Sequence, residues 1–173
     1  MGSRATLFIT HYCLFITHQK VQFLCKVKKT VMDIKRNEAT LNRPDGDRVL
    51  DAPFVFTDLD SYVKQLKGEE AWDKNDRNGI TIFKTENLTT VLTCLHKDAS
   101  IKDNIVDGIL QVQVLDGKLR VSTDAGDSEI EEREMLMFHP RVRHSIEALR
   151  KSTVLLQTIY PKRNIDKANG THL

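Results

Sequence analysis

The chain has 173 residues, 40% of them hydrophobic and 29% charged, with a formal net charge of +2. That length suits one domain that can bury a core without disulfides or metal, and that composition excludes collagen-like and low-complexity chains. The charge is uneven: residues 1–31 hold Arg4, Lys20, Lys26, Lys28 and Lys29 and no acid, so the remainder is net −3 and lacks the clustered Lys and Arg of a nucleic-acid surface.

Residues 7–20 read LFITHYCLFITHQK, with LFITH recurring at a seven-residue spacing. A repeat this short cannot build a solenoid. Thr10, His11, Thr17 and His18 break the apolar run, and no small-residue cleavage site follows, so it is not a clean signal peptide. It is also too short and polar to span a bilayer. Residues 1–31 are expected to be a non-structural leader, translated upstream of a functional start at Met32; a targeting leader is the alternative. Residues 32–52 are polar and turn-rich and are expected to be flexible. Cys13 and Cys25 lie in the leader, which leaves Cys94 alone in the body. No intrachain disulfide can form within the body, which favours a reducing compartment and a cytoplasmic location. Within VLTCL, Cys94 reads as a small core thiol.

Residues 53–74 read as a helix. Thr57 or Asp58 can cap it, and Leu59, Tyr62, Val63 and Leu66 form an apolar stripe at helical spacing. Gly68 weakens or ends it, and Trp72 is expected to anchor it on the next layer. Residues 76–79, Asp-Arg-Asn-Gly, read as a turn. Strand-like runs then follow at 80–85, 88–95, 109–115, 118–123, 128–131, 135–138, 144–149 and 153–159. Glu86-Asn87, Asp116-Gly117 and Ala125-Gly126 are turn signals between them, and Asp-Gly between alternating strands predicts a hairpin. Alternation puts Val112 and Val114 on one face, and Gln111, Gln113 and Leu115 on the other. Short strands this closely spaced make the chain mainly β, a barrel or jelly roll with a short N-terminal helix. The tail, 161–173, is polar and expected to be flexible.

Residues 79–160 resemble the small single-domain cupins. The resemblance rests on Asp107-Gly108-Ile109, on Val112-Gln113-Val114-Leu115-Asp116-Gly117, on Met135-Leu136, and on His144-Ser145-Ile146-Glu147-Ala148-Leu149. It covers about half the chain and implies a cupin-like barrel over 53–160. In cupins the first motif offers two histidines and a glutamate to a divalent metal, and the second offers one more histidine. Here the glutamate slot falls on Leu110, and the histidine slots fall on Asn104 and Val106, or on Asp103 and Ile105. Only the second-motif histidine is kept, as His144. The usual glycines of that motif fall on Arg133 and Arg141, and its usual proline on His139, beside Pro140.

A catalytic first-row metal normally takes three or more protein ligands. The set available here is His144 with Asp103, Asn104 and Asp107, which could hold iron, manganese, nickel or zinc. His144 could also orient a ligand or act alone as an acid or base. Ser145 follows it directly and so points to the opposite face. No nucleophile elbow, phosphate-cradling loop or C-x-x-C pair is present. The acids Glu129, Glu131, Glu132 and Glu134 read as a solvated edge.

The first expectation is therefore a protein that binds a small molecule in its barrel through His144, Asn104 and Gln113, with no cofactor. The second is a metal-dependent dioxygenase or isomerase using the set above. The third is a dimeric interaction module whose pocket is vestigial and packed with Leu110, Val112 and Val114. Neither nucleic acid nor membrane is expected as a partner, and a homodimer is implied by the resemblance alone.

Overall fold

The computed structural model describes residues 33–41 and 43–161. The leader, 1–31, and nearly all of the tail, 161–173, lie outside the described residues. In chain order the elements are β1 (Lys35–Asn37), β2 (Arg48–Asp51), α1 (Leu59–Gly68), α2 (Glu70–Lys74), β3 (Arg77–Lys84), β4 (Leu88–Leu95), β5 (Ser100–Asn104), β6 (Ile109–Asp116), β7 (Lys118–Thr123), β8 (Gly126–Glu131), β9 (Met135–Phe138), β10 (His144–Ala148) and β11 (Ser152–Ile159). No helix among the described residues is long and apolar enough to cross a membrane.

The helical region is shorter than 53–74 and broken in two. Asp58 is the cap: its carboxylate accepts from the Ser61 N–H at 3.2 Å, and that bond holds its pKa below the usual carboxylate value. Asp60 in the first turn and Lys67 in the last suit the helix dipole. The predicted stripe is the buried face. Leu66 is fully buried, and Leu59, Tyr62 and Val63 pack beside it on a cluster of Trp72, Ile80, Ile82, Leu92 and Cys94. Burying a side chain such as Leu66 contributes ~1.5–3 kcal/mol. Trp72 also stacks on His96 at 3.6 Å between ring centroids. Burial pushes the Cys94 thiol pKa up, as a core thiol requires.

Two antiparallel sheets form the body. One runs β3-β4-β11-β6-β9 and the other β5-β10-β7-β8. Their inner faces share one aliphatic core that includes Leu95, Val112, Val114, Val154, Leu119, Val121, Ile146 and Ala148. The helices cover the outer face of the first sheet at β3 and β4.

Four local expectations are corrected. Asp116-Gly117 does not close a hairpin: β6 belongs to the five-stranded sheet and β7 to the four-stranded one, so the turn is a corner between sheets. Gly117 is required there. Its φ is +100°, and a Cβ would lie 2.2 Å from Ser152 Oγ and 2.6 Å from the Lys151 carbonyl. Strand β5 was missed because SIKDN carries a single large apolar residue, so no alternation marks it. The turn expected at 76–79 is the start of β3, with Asn78 buried. The segment 32–52, expected to be flexible, carries the paired strands β1 and β2.

Polar residues order that last segment. Arg43 makes a two-pronged contact to the Glu69 carboxylate at 2.9 Å and also donates to Asn78 Oδ1 at 2.9 Å. Asn78 Nδ2 donates to the Leu66 carbonyl and to Glu69. Arg48 donates to the Thr81 carbonyl in β3. The same pull on Glu69 marks the helix break, where its backbone turns extended. Burial works against the Glu69 carboxylate, but the bonds from Arg43, Asn78 and Gln65 outweigh it and hold its pKa below the usual glutamate value.

At the two positions where the resemblance to cupins places glycine, the backbone is left-handed although the residues are arginine. Arg133 and Arg141 have φ of +71° and +66°, a left-handed conformation that strains an L side chain. Long-range backbone bonds hold both: Arg133 N–H to the Val114 carbonyl and Arg141 N–H to the Val106 carbonyl.

Two predictions follow from these contacts. Arg133→Gly and Arg141→Gly should each stabilise the protein by roughly 0.5–1 kcal/mol, the left-handed strain relieved less the added chain entropy of glycine. A rise in the urea midpoint checks this, and a fall contradicts it. Because the folded pKa of Glu69 is depressed, its contribution is complete above the ordinary glutamate pKa and is lost as pH falls through the folded value. Glu69→Gln should therefore cost about 2 kcal/mol at neutral pH, with the gap to wild type closing below about pH 4. Urea titrations of both proteins across pH measure it.

Candidate functional site

The site is built where β10 begins. His144 stands opposite Asn104 of β5 and Thr123 of β7 in the strand register. The alternation of β10 turns His144, Ile146 and Ala148 inward and leaves Ser145 and Glu147 half-buried on the outer face. The His144 side chain is only 1% exposed. Its ring stacks on Phe138 of β9, with centroids 4.5 Å apart and planes 18° off parallel.

Both ring nitrogens of His144 are engaged. Nδ1 lies 2.9 Å from the Val142 carbonyl oxygen. A carbonyl only accepts, so Nδ1 carries the proton. Nε2 faces the Asn104 amide nitrogen and accepts its N–H at 3.1 Å. This contact orients the Asn104 amide and turns its Oδ1 away from the ring. His144 is thus a buried, satisfied histidine whose effect on a ligand would pass through Asn104.

The remaining residues of the expected set are not gathered here. A bulge opposes two β5 residues to Ser145, and Asp103 sits in it with φ of +49°. Its backbone N–H donates to Ser145 Oγ at 3.0 Å, and its carboxylate lies 3.8 Å from Arg143 in an exposed ion pair. Asp107 is exposed too and pairs with Arg141 at 3.0 Å. Gln113 lies outside the barrel: its neighbours Val112 and Val114 are fully buried in the core, while Gln113 is half-buried on the other face, opposite Met135. His139 and Arg143 are exposed, and His96 is tied to the Trp72 carbonyl at 3.0 Å. The expected acid edge is exposed, and Glu129 pairs with Lys118 and Arg120.

The residues present do not fit a divalent metal. The lone pair that His144 would offer is already taken by an amide N–H, and Asn104 is a neutral partner. The two candidate carboxylates face solvent in ion pairs. Val106, Leu110 and Phe138 supply hydrocarbon around the ring. Among the described residues no group of three or more His, Cys, Asp or Glu could hold a metal ion, and no buried side-chain polar atom lacks a hydrogen bond.

Burial nevertheless falls along two strands toward the His144 end of the barrel. The cross-strand pairs Thr158–Leu110 and Leu110–Phe138 join it to β11, β6 and β9, and Thr89 of β4 pairs with Thr158. Along β4 the inward-facing residues go from buried Leu95 and Thr93 to half-buried Val91 and Thr89. Along β11 they go from buried Val154 to half-buried Leu156 and Thr158. Sequence reasoning missed these walls, and also Phe138, because their convergence depends on strand pairing between distant segments.

The sequence matches no protein-family profile and no curated protein. Its architecture matches solved structures. A conserved protein of unknown function from Streptococcus pyogenes is similar over 66% of this chain and 93% of its own, with 18% identity and a TM-score of 0.52. A cupin superfamily protein from Desulfitobacterium hafniense is similar over 65% of this chain and 95% of its own, with 13% identity and a TM-score of 0.52. Two antiparallel sheets closed over one core, joined at the Gly117 corner and matched to nearly the full length of these proteins, establish that this chain has the cupin fold.

Proposed function

We propose that the protein binds a small molecule at the open end of its barrel and does so without a resident metal. The observation that carries this reading is the fall in burial along the inward faces of β4 and β11. Elsewhere the two sheets meet in full contact; at the His144 end they leave inner-face surface uncovered. Val91 and Leu156 offer an apolar wall, Thr89 and Thr158 offer hydroxyls, and Asn104 offers an amide oxygen. An apolar wall with a few fixed polar groups is the usual make-up of a small-molecule site. In this reading Asn104 touches the ligand, and His144 is a positioning residue that sets the Asn104 amide.

A second reading, a homodimer, has its own support. Beyond the cover of α1, the outer face of β11, β6 and β9 presents Gln157, Gln111, Gln113, Met135, Met137 and Ile159, and none is charged. Met135 and Met137 are 58% and 50% exposed. Interface cores are depleted in charge and enriched in Met. A second copy is the partner this face suits: across a two-fold axis it meets itself, and glutamine amides both donate and accept.

Each reading has a direct test. Leu156→Trp should fill the open end and abolish binding of small-molecule fragments seen by ligand-observed NMR, with the fold kept by circular dichroism; fragments that bind the variant as well as wild type would overturn the barrel-end site. After incubation with iron(II), manganese, nickel or zinc and desalting, mass spectrometry should find far less than one ion per chain, and near-stoichiometric metal would restore the metalloenzyme reading. Light scattering should give a dimer mass that Met137→Lys converts to a monomer. A wild-type monomer would remove the second reading.

A further inference from the structure

A cavity of about 500 Å³ opens on the outer face of the β5-β10-β7-β8 sheet, across the sheet from the barrel interior. Its lining includes Ser122 and Ser145, paired across β7 and β10, and Ser100 of β5 opposite Glu147, and its rim carries Asp98, Lys102 and Arg120. The β5 bulge shapes it. The extra residue at Asp103 bends the strand and re-aims the side chains beside it. Ser145 Oγ accepts the N–H that the bulge leaves over, so its own proton remains available to donate.

Charge decides what such a cavity would take. Arg120 is compensated by Glu147 at 3.2 Å and Glu129 at 3.3 Å. Asp103, also on the lining, faces Arg143. Among the described residues, Lys102 and Asp98 enter no ion pair. The lining therefore leaves one free cation and one free anion on either side of Ser100. Asp98 also holds a left-handed backbone, with φ of +69°, a conformation that recurs at binding sites.

We propose that this cavity is a second binding site, for a small zwitterion of dipeptide size. Its carboxylate would meet Lys102, its ammonium would meet Asp98, and its amide would lie over Ser100 between them. Four residues of extended chain separate Asp98 from Lys102 by up to about 13 Å at Cα, too far for a free α-amino acid to reach both. A dipeptide spans about 7 Å and, with a hydrogen bond of about 2.9 Å at each end, matches that separation. The site stands apart from the barrel end proposed above and does not depend on it.

The probe is alanylalanine, titrated by calorimetry into the full chain beside N-acetyl-alanylalanine, which lacks the ammonium, and alanylalanine amide, which lacks the carboxylate. Saturable binding of alanylalanine is expected, with each capped form weaker by roughly three- to tenfold. Lys102→Gln should weaken binding by a similar factor. Asp98→Asn should do the same, since Asn tolerates the left-handed backbone. Both positions are exposed, and a thermal melt confirms that the variants fold. Leu156→Trp should leave alanylalanine binding unchanged, which separates this site from the barrel end. No saturable binding, or binding indifferent to the caps and to both variants, would overturn the proposal.

Discussion

Two sheets closing over one aliphatic core is the constraint on which the rest of this molecule depends. Val112, Val114 and Val154 from one sheet meet Leu119, Val121, Ile146 and Ala148 from the other, all nearly or fully removed from water. Close packing of this kind leaves little room for a polar cluster, because each buried polar atom needs a partner. The barrel can host polar chemistry only where packing relaxes. That happens at one end, where Val91, Thr89, Leu156 and Thr158 are half-exposed.

The histidine that a cupin would use for metal has been absorbed into this packing. His144 sits against Phe138, donates to a carbonyl and accepts from Asn104. These contacts fix the ring on its face and at both nitrogens. A metal would have to displace the Asn104 amide from Nε2 and would find no carboxylate facing inward, since Asp103 and Asp107 are held outside by arginines. What the proposed reading has to work with is an oriented amide beside an apolar wall.

The backbone has been more conservative than the side chains. Arg133 and Arg141 occupy left-handed positions where the resemblance places glycine. The turns survive because long-range backbone bonds to Val114 and Val106 hold them. Polar contacts likewise order the N-terminal hairpin, through Arg43, Glu69 and Asn78 rather than through an apolar face. Both cases show local preference overruled by bonds that form only once distant segments meet.

That distinction separates what the sequence determined from what tertiary structure decided. Period-two alternation marks β6 and β7, apolar and β-branched runs mark β4 and β11, and helical spacing marks α1, because each is a local response to the faces that are buried. A cap at Thr57 or Asp58 and the core role of Cys94 are legible from equally local signals. The Asp116-Gly117 corner was not, since a tight turn has the same residues whether its strands pair or part. Neither β5 nor the hairpin of β1 and β2 could be read, because their residues are mostly polar and show no sustained alternation. The candidate site divides in the same way. His144 and Asn104 meet across paired strands; Asp103 turns outward at a bulge that exists only once β5 and β10 pair, and Gln113 lies on the outer face that the alternation of β6 gives it.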